Sequence, residues 1–172
     1  MFTQRPPKIE KLCLFRNTNI LAVILTMKAE LFNAIGDELS RGISIYIAIA
    51  SVLAILAIVF LQSSLDKIFD FTGNSSWLKD HFSGSPLKGL VPFLLIVLTV
   101  FEALAGLFCL LGFFQLFFLD DLSFGVLGLT FGSVSLLALM FGQRLAKDYA
   151  GAGGLVPYFI VVMLGFIMIY TI

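Results

Sequence analysis

Apolar residues in this chain gather into long runs separated by short polar intervals, and four of the runs are long enough to cross a bilayer. A hydrocarbon layer about 30 Å thick asks for about 20 apolar residues of helix. Residues 43–61 meet that length without a charge, and Ala50, Ala54 and Ala57 give this first span a small-residue stripe for close helix approach. Residues 90–112, LVPFLLIVLTVFEALAGLFCLLG, form the second span, with Pro92 in its first turn, where a missing N–H does no harm. The third, residues 122–142, sets Gly125, Gly128, Gly132, Ser135 and Gly142 near one face. Gly128 and Gly132 make a GxxxG, which in an apolar segment points to helix packing ahead of a ligand groove. The fourth, residues 155–170, opens near Pro157. This pattern predicts an all-α membrane protein, a four-transmembrane-helix antiparallel bundle.

The intervals between the runs carry most of the charge. Residues 1–42 hold six of the eleven basic residues: Arg5, Lys8, Lys11, Arg16, Lys28 and Arg41. The apolar run at 20–27 is too short to span, and no small-residue cleavage site follows it. Two alternatives stand for this segment. One is a basic tail whose part 28–41, KAELFNAIGDELSR, has helical periodicity and lies along the membrane surface. The other is a natural start at Met27, which would remove residues 1–26. Residues 43–172 form the transmembrane domain in both cases.

Nothing breaks the first helix between Gln62 and Gly73, so it is free to run on through SSLDKIFDF, with Ser63, Ser64, Asp66, Lys67 and Asp70 at the water boundary. Residues 72–89 are the one sizeable polar connection. Their Gly, Ser, Asn and Pro mark turns, and residues 77–82 suit a single interfacial turn with Trp77 at headgroup depth. Asp120 and Asp121 read as a short acidic turn, and residues 143–154 as a mixed-charge one.

Composition supports the bilayer. The 172 residues are 59% hydrophobic and 13% charged, against about 25% charged in ordinary globular domains. Formal net charge is zero and no basic run is dense enough to track a phosphate backbone, so nucleic-acid binding has no support. Counting Lys and Arg by loop gives six on the N-terminal side and five on the other (Lys67, Lys79, Lys88, Arg144, Lys147), which favours a cytoplasmic N-terminus by one charge. That margin reverses if the chain begins at Met27.

Candidate chemistry is sparse and centres on Glu102, the single carboxylate inside an apolar run. A charge at the middle of the hydrocarbon costs at least about 2.5–3.5 kcal/mol, so Glu102 should face protein, a partner or a polar cavity. Thr99, Glu102, Gly106, Cys109 and Phe113 share a helix face. Glu102 has two readings: a proton-accepting carboxylate beside a small polar ligand, or a packing residue bonded to Ser or Thr on a neighbouring helix. Lys67 also has two. Beside Asp66 and Asp70 it suits an interfacial anchor; alternatively it reaches inward to pair with Glu102. Depth favours the anchor, because Lys67 lies six residues past the apolar run, about 9 Å along a helix.

Arg41, Trp77 and Arg144 read as boundary anchors, and Gln143 with Arg144 is placed to hold a lipid or a partner's carboxylate. Cys13 and Cys109 form no CxxC, and His81 is the only histidine, so no metal site or haem ligand pair is expected. Any electron transfer then falls to another chain or to a bound quinone, with no covalently bound cofactor.

Several of these pieces together resemble the DoxX family of small four-helix membrane proteins. They are Arg41 before the first span, Lys67 in LDKIFDF after it, and Glu102, Gly106 and Gly112 in EALAGLFCLLG, over residues 41–172. Family members often carry glycine or histidine a few residues before the lysine; this chain has Gln62-Ser-Ser-Leu-Asp. The resemblance implies a bacterial inner-membrane, multi-pass protein, noncatalytic alone, that serves a quinone-linked or thiol/thiosulfate redox system beside a redox-enzyme partner. Glu102, Thr99, Gly106 and Lys67 are then the candidate ligand-binding residues, and Gly125, Gly128 and Gly132 the packing residues. The alternative is a structural or assembly subunit that docks onto a larger membrane complex through its glycine-rich third span.

Overall fold

A computed structural model describes the backbone of residues 7–119 and 121–171 and the side chains from Ala22 onward. Arg5 and Asp120 lie outside the described residues, as do the side chains of Lys8, Lys11, Cys13 and Arg16, and with them the choice between the two starting residues. The described residues form five helices: α1 (Pro7–Phe69), α2 (Phe71–His81), α3 (Val91–Phe118), α4 (Ser123–Leu145) and α5 (Tyr149–Tyr170). Among the described residues, four stretches are long and apolar enough to cross a membrane: Ala22–Phe69, Val91–Phe118, Ser123–Leu145 and Tyr149–Tyr170.

By contacts the chain divides into two compact units, Met1–Ser44 and Ile45–Ile172. In the first, the described residues are helical throughout, and Arg41 pairs with Glu38 at 2.9 Å on an exposed helix surface. Such a pair contributes at most about 1 kcal/mol.

The second unit is an antiparallel bundle, and its register can be followed through its glycines. Gly106 of α3 packs on Leu61 of α1, where a Cβ would lie 2.7 Å from Leu61 Cγ. Gly112 lies against the backbone of Gly125 on α4. Gly128 faces Cys109, with a Cβ falling 2.5 Å from Cys109 N, and Gly132 accepts the ring of Phe60. Gly165 of α5 meets Leu129. Residue numbers rise on one helix as they fall on the next, from α1 to α3, α3 to α4 and α4 to α5. In lipid there is little hydrophobic drive between helices, so close backbone approach and the dispersion contacts it allows hold the pairs together. The core is Leu53, Leu56, Ala57, Phe60, Ala105, Cys109, Leu129 and Val162, each almost fully enclosed.

Two polar connections are shorter than their composition predicts. The Gly/Ser/Asn stretch after Asp70 is helical, and the expected single turn at 77–82 becomes the 11-residue α2. Asp70 accepts from Gly73 N at 2.9 Å, and Asn74 Nδ2 donates to Asp66 O and Asp70 O, closing the end of α1 while α2 starts. A side chain at Gly73 would run into the Asp70 carboxylate.

Likewise the turn expected over residues 143–154 contracts to three residues. Asp148 N donates to Gln143 O and Lys147 N to Arg144 O, a Schellman ending with Lys147 at φ 62 where glycine is usual. Asp148 then caps α5 by accepting from Gly151 N at 2.8 Å. Pro157 is therefore inside α5, not in its first turn.

The α3–α4 turn is held by side chains. Gln115, buried within a run of phenylalanines, donates from Nε2 to Asp121 Oδ2 at 2.5 Å and accepts Phe124 N at 3.0 Å. Asp121 Oδ1 accepts from the Ser123 hydroxyl and from Leu122 N. These bonds hold the Asp121 carboxyl below its usual range, the Ser123 hydroxyl first and the Leu122 N–H second.

Two predictions follow from this packing. Gly128→Leu should lower the unfolding free energy in detergent by about 1–3 kcal/mol, as overpacked cores do, whereas Gly153→Ala, with nothing within 4 Å of its Cβ, should be neutral or gain up to about 1 kcal/mol. Equal losses at both sites would refute the register. The folded-state value of Asp121 is lowered, so its stabilisation is present above about pH 4 and disappears as pH falls through that folded value. Thermal unfolding of the wild type should therefore lose more stability on acidification than that of Asp121→Asn.

Candidate functional site

The only ion pair between two spans among the described residues joins α1 to α3. Lys67 Nζ lies 2.8 Å from Glu102 Oε2, with the carboxylate side chain 1% exposed and the lysine 17% exposed. The same ammonium donates to Ser63 Oγ at 2.7 Å and to Ser63 O at 3.1 Å. Ser63 Oγ in turn donates to Glu102 Oε2 at 3.2 Å. The three side chains form a closed triangle: one ammonium, one hydroxyl and one carboxylate.

This placement corrects the interfacial-anchor reading of Lys67. Backbone rise alone sets Lys67 outside the apolar run, but a helical side chain leans toward the helix N-terminus and covers the turn before its own Cα. Lys67 therefore delivers its ammonium to the level of Ser63, one turn deeper. Of its acidic neighbours, Asp70 caps α2, and the backbone carbonyl of Asp66 accepts from Asn74.

Glu102 is positioned by the stripe it belongs to. Val91, Leu95, Glu102, Ala105, Cys109, Gly112 and Leu116 are the buried positions that recur along α3. Gly106, one turn beyond Glu102, lets Leu61 close over the cluster from the inside. Gly106 is thus a close-approach residue. Thr99 does not join the cluster either: its hydroxyl donates back to Leu95 O at 2.7 Å. A hydroxyl returned to its own helix has spent its one donor within that helix.

Cys109 is fully buried against Gly128, which shields the thiol from exchange chemistry. The packing glycines Gly125, Gly128 and Gly132 all face Leu53, Cys109 and Phe60 of this same chain. That face is filled within the bundle. Trp77, 62% exposed on α2, stacks on His81 with ring centroids 4.8 Å apart. Arg144 sets its guanidinium 4.8 Å over the Tyr149 ring. Arg41, in the first unit, pairs with Glu38.

No family model, curated protein or solved structure matches this chain. Its chemistry has to be read from the cluster itself.

A carboxylate and an ammonium withdrawn from water attract strongly but have each lost their hydration. Chemically the cluster can hold a proton on either partner, or release the Lys67 ammonium to another acceptor while Ser63 keeps a hydrogen bond on the carboxylate. Removing either charged partner leaves the other stranded. Glu102→Gln and Lys67→Met should each cost about 3–5 kcal/mol in detergent unfolding, and Lys67→Met with Glu102→Leu should recover most of that loss. Additive losses in the double variant would show that the two groups are not coupled.

Proposed function

We propose that this chain is a noncatalytic integral membrane subunit of a quinone-linked or thiol/thiosulfate redox system, resembling the DoxX family. The observation that carries the reading is the 2.8 Å contact between Lys67 and Glu102. These are two of the polar residues on which the resemblance rests, and they come from different spans. Ionisable groups inside spans are expensive and concentrate where a ligand, ion or proton is handled.

Lys67 is the partner with some exposure, so it is the donor this chain offers to a carbonyl oxygen. Glu102 stays enclosed and balances its charge. Ser63 touches both and keeps them aligned when one moves. A bound quinone would supply the two-electron chemistry; the chain supplies an oriented donor and a place for a proton. In this reading the protein sits in a bacterial inner membrane with its N-terminus in the cytoplasm and a redox enzyme as neighbour.

The alternative, an assembly subunit docking through its glycine-rich span, is weakened because those glycines are consumed within the bundle.

The test uses membranes containing the full chain, purified gently with whatever accompanies it. Glu102→Gln and Lys67→Arg should remain inserted but lower co-purifying quinone and quinone-dependent reduction by at least about tenfold. Wild-type membranes with no associated quinone, together with unchanged reduction rates in both variants, would end the redox reading.

A further inference from the structure

We infer that His81 and Asp148 form a pH-dependent latch that holds α2 on the α4–α5 turn, closed while the imidazole carries its proton and loosened as pH rises. This goes beyond the redox reading and does not depend on it, because neither Lys67 nor Glu102 takes part.

Little else holds the far end of α2. The helix has 11 residues and buries only Ser75. A helix of that length is marginal in water by itself, so its contacts decide where it sits. Its start is tied to the end of α1 through Asp70 and Asn74. At its other end the Phe82 ring rests on Gly142 in ordinary contact, and His81 Nε2 faces Asp148 Oδ2 at 3.5 Å. Among the described residues, the His81 contact is the only polar one from α2 to α4, α5 or the turn between them.

The acceptor side of the latch is fixed in place. Asp148 N donates to Gln143 O at 2.9 Å, and Asp148 Oδ1 accepts from Gly151 N at 2.8 Å as the cap of α5. That leaves Oδ2 turned toward α2. Gln143 Oε1, buried and without a hydrogen-bond partner, packs against the same spot: a Cβ on Gly151 would meet both this oxygen and Asp148 Oδ2. Two acceptor oxygens therefore crowd together, and the donor that reaches the carboxylate from another helix is His81.

A proton on His81 strengthens its contacts on two sides. It adds a Coulomb attraction to Asp148, and it puts a cation on the indole face of Trp77, whose ring is stacked on the imidazole at 4.8 Å and 13°. Without that proton the stacking stays and both charge terms go. Histidine changes charge between about pH 5 and pH 8, whereas carboxylates titrate well below that range. The other charges at this end of the bundle are Lys79 and Asp80 on α2, Lys88 in the following connection, and Arg144 and Lys147 at the turn. None of them pairs with His81, and Arg144 lies over the Tyr149 ring. The latch thus follows one titration.

What it moves is one end of a cavity. A space of ≈ 440 Å³ lies along α3 and α4, and Trp77, Leu78 and His81 form its end on the α2 side. The seating of α2 sets how open that end is.

The experiment uses the full chain in detergent and reads hydrogen exchange of the amides over residues 78–82, corrected for the intrinsic pH dependence of exchange. Protection in the wild type should fall about threefold to fivefold from about pH 5.5 to about pH 8, the size expected of an ion pair this exposed. His81→Gln and Asp148→Asn should each flatten that dependence, and the double variant should match either single one. Asparagine still caps α5, so the second variant removes the charge and keeps the turn. Trp77 is the only tryptophan, and its emission gives an independent report of the proton. Acidification should quench it in the wild type and in Asp148→Asn, but not in His81→Gln.

An equal fall in protection in all four proteins would overturn the latch. So would a wild type whose emission titrates while its protection stays constant, or one whose emission is flat across the range.

Discussion

Inside a bilayer there is no water to satisfy a stranded carboxylate, and that constraint governs how α1 and α3 meet. Glu102 can occupy its position only if the chain brings a donor to it. The donor comes from beyond the end of the first apolar run, carried inward by the lean of the Lys67 side chain. Ser63, one helical turn earlier, accepts from the lysine and donates to the carboxylate. The pair therefore fixes both the rotation and the vertical register of α1 against α3. A shift of one residue would leave two charges unmatched in hydrocarbon, at a cost of several kcal/mol.

Close approach of the backbones makes the pairing affordable in geometry. Gly106 admits Leu61, and Gly112 and Gly128 bring α3 and α4 together at Gly125 and Cys109. With side chains at those positions the helices would stand farther apart, and the span from Lys67 Nζ to Glu102 would open. The phenylalanines add to this from the flank: Phe108 stacks between Phe124 and Phe131 at 5.9 and 5.6 Å. Offset aromatic pairs of this kind contribute about 0.5–1.5 kcal/mol each beyond their buried area.

How much of this could be read beforehand differs between spans and connections. The four runs, the antiparallel order and the packing role of Gly125, Gly128 and Gly132 are all visible as length and spacing. The partner of Glu102 is visible too, but only if the buried stripe of the first span is extended past its apolar end. Ile49, Leu53, Leu56, Phe60, Ser63 and Lys67 recur at alternating steps of four and three, and the last two fall on polar residues. Hydropathy stops at Leu61; the stripe does not.

The connections were less legible because single side chains decide them. Asp70 and Asn74 turn a Gly/Ser/Asn stretch into helix α2, and Asp148 does the same for the glycines at the start of α5. Composition reports the glycines but not the cap that makes them helical. The pairing of Gln115 with Asp121 is likewise a contact between a buried residue and a turn, which no periodicity encodes.

The cavity and the tight half of the bundle have a common cause. Where α3 and α4 offer glycines to each other, from Gly112 and Gly125 to Cys109 and Gly128, nothing fits between them. Past Gly128 the glycines of α4 no longer pack on the α3 backbone, since Gly132 meets Phe60 of α1, and the positions along the space are Phe101, Leu98 and Leu95 on one side and Ser135, Ala138 and Leu139 on the other. Gly142, the next glycine on α4, meets Phe82, the residue that closes α2. The space begins where the backbone contacts end, and Trp77, Leu78 and His81 of α2 line one end of it. A bundle with glycines along its whole length would be tighter and would have no such space. The distribution of glycines along α4 therefore makes the part of the α3–α4 pair from Cys109 to Gly112 tight and leaves the part from Val91 to Phe101 more widely spaced.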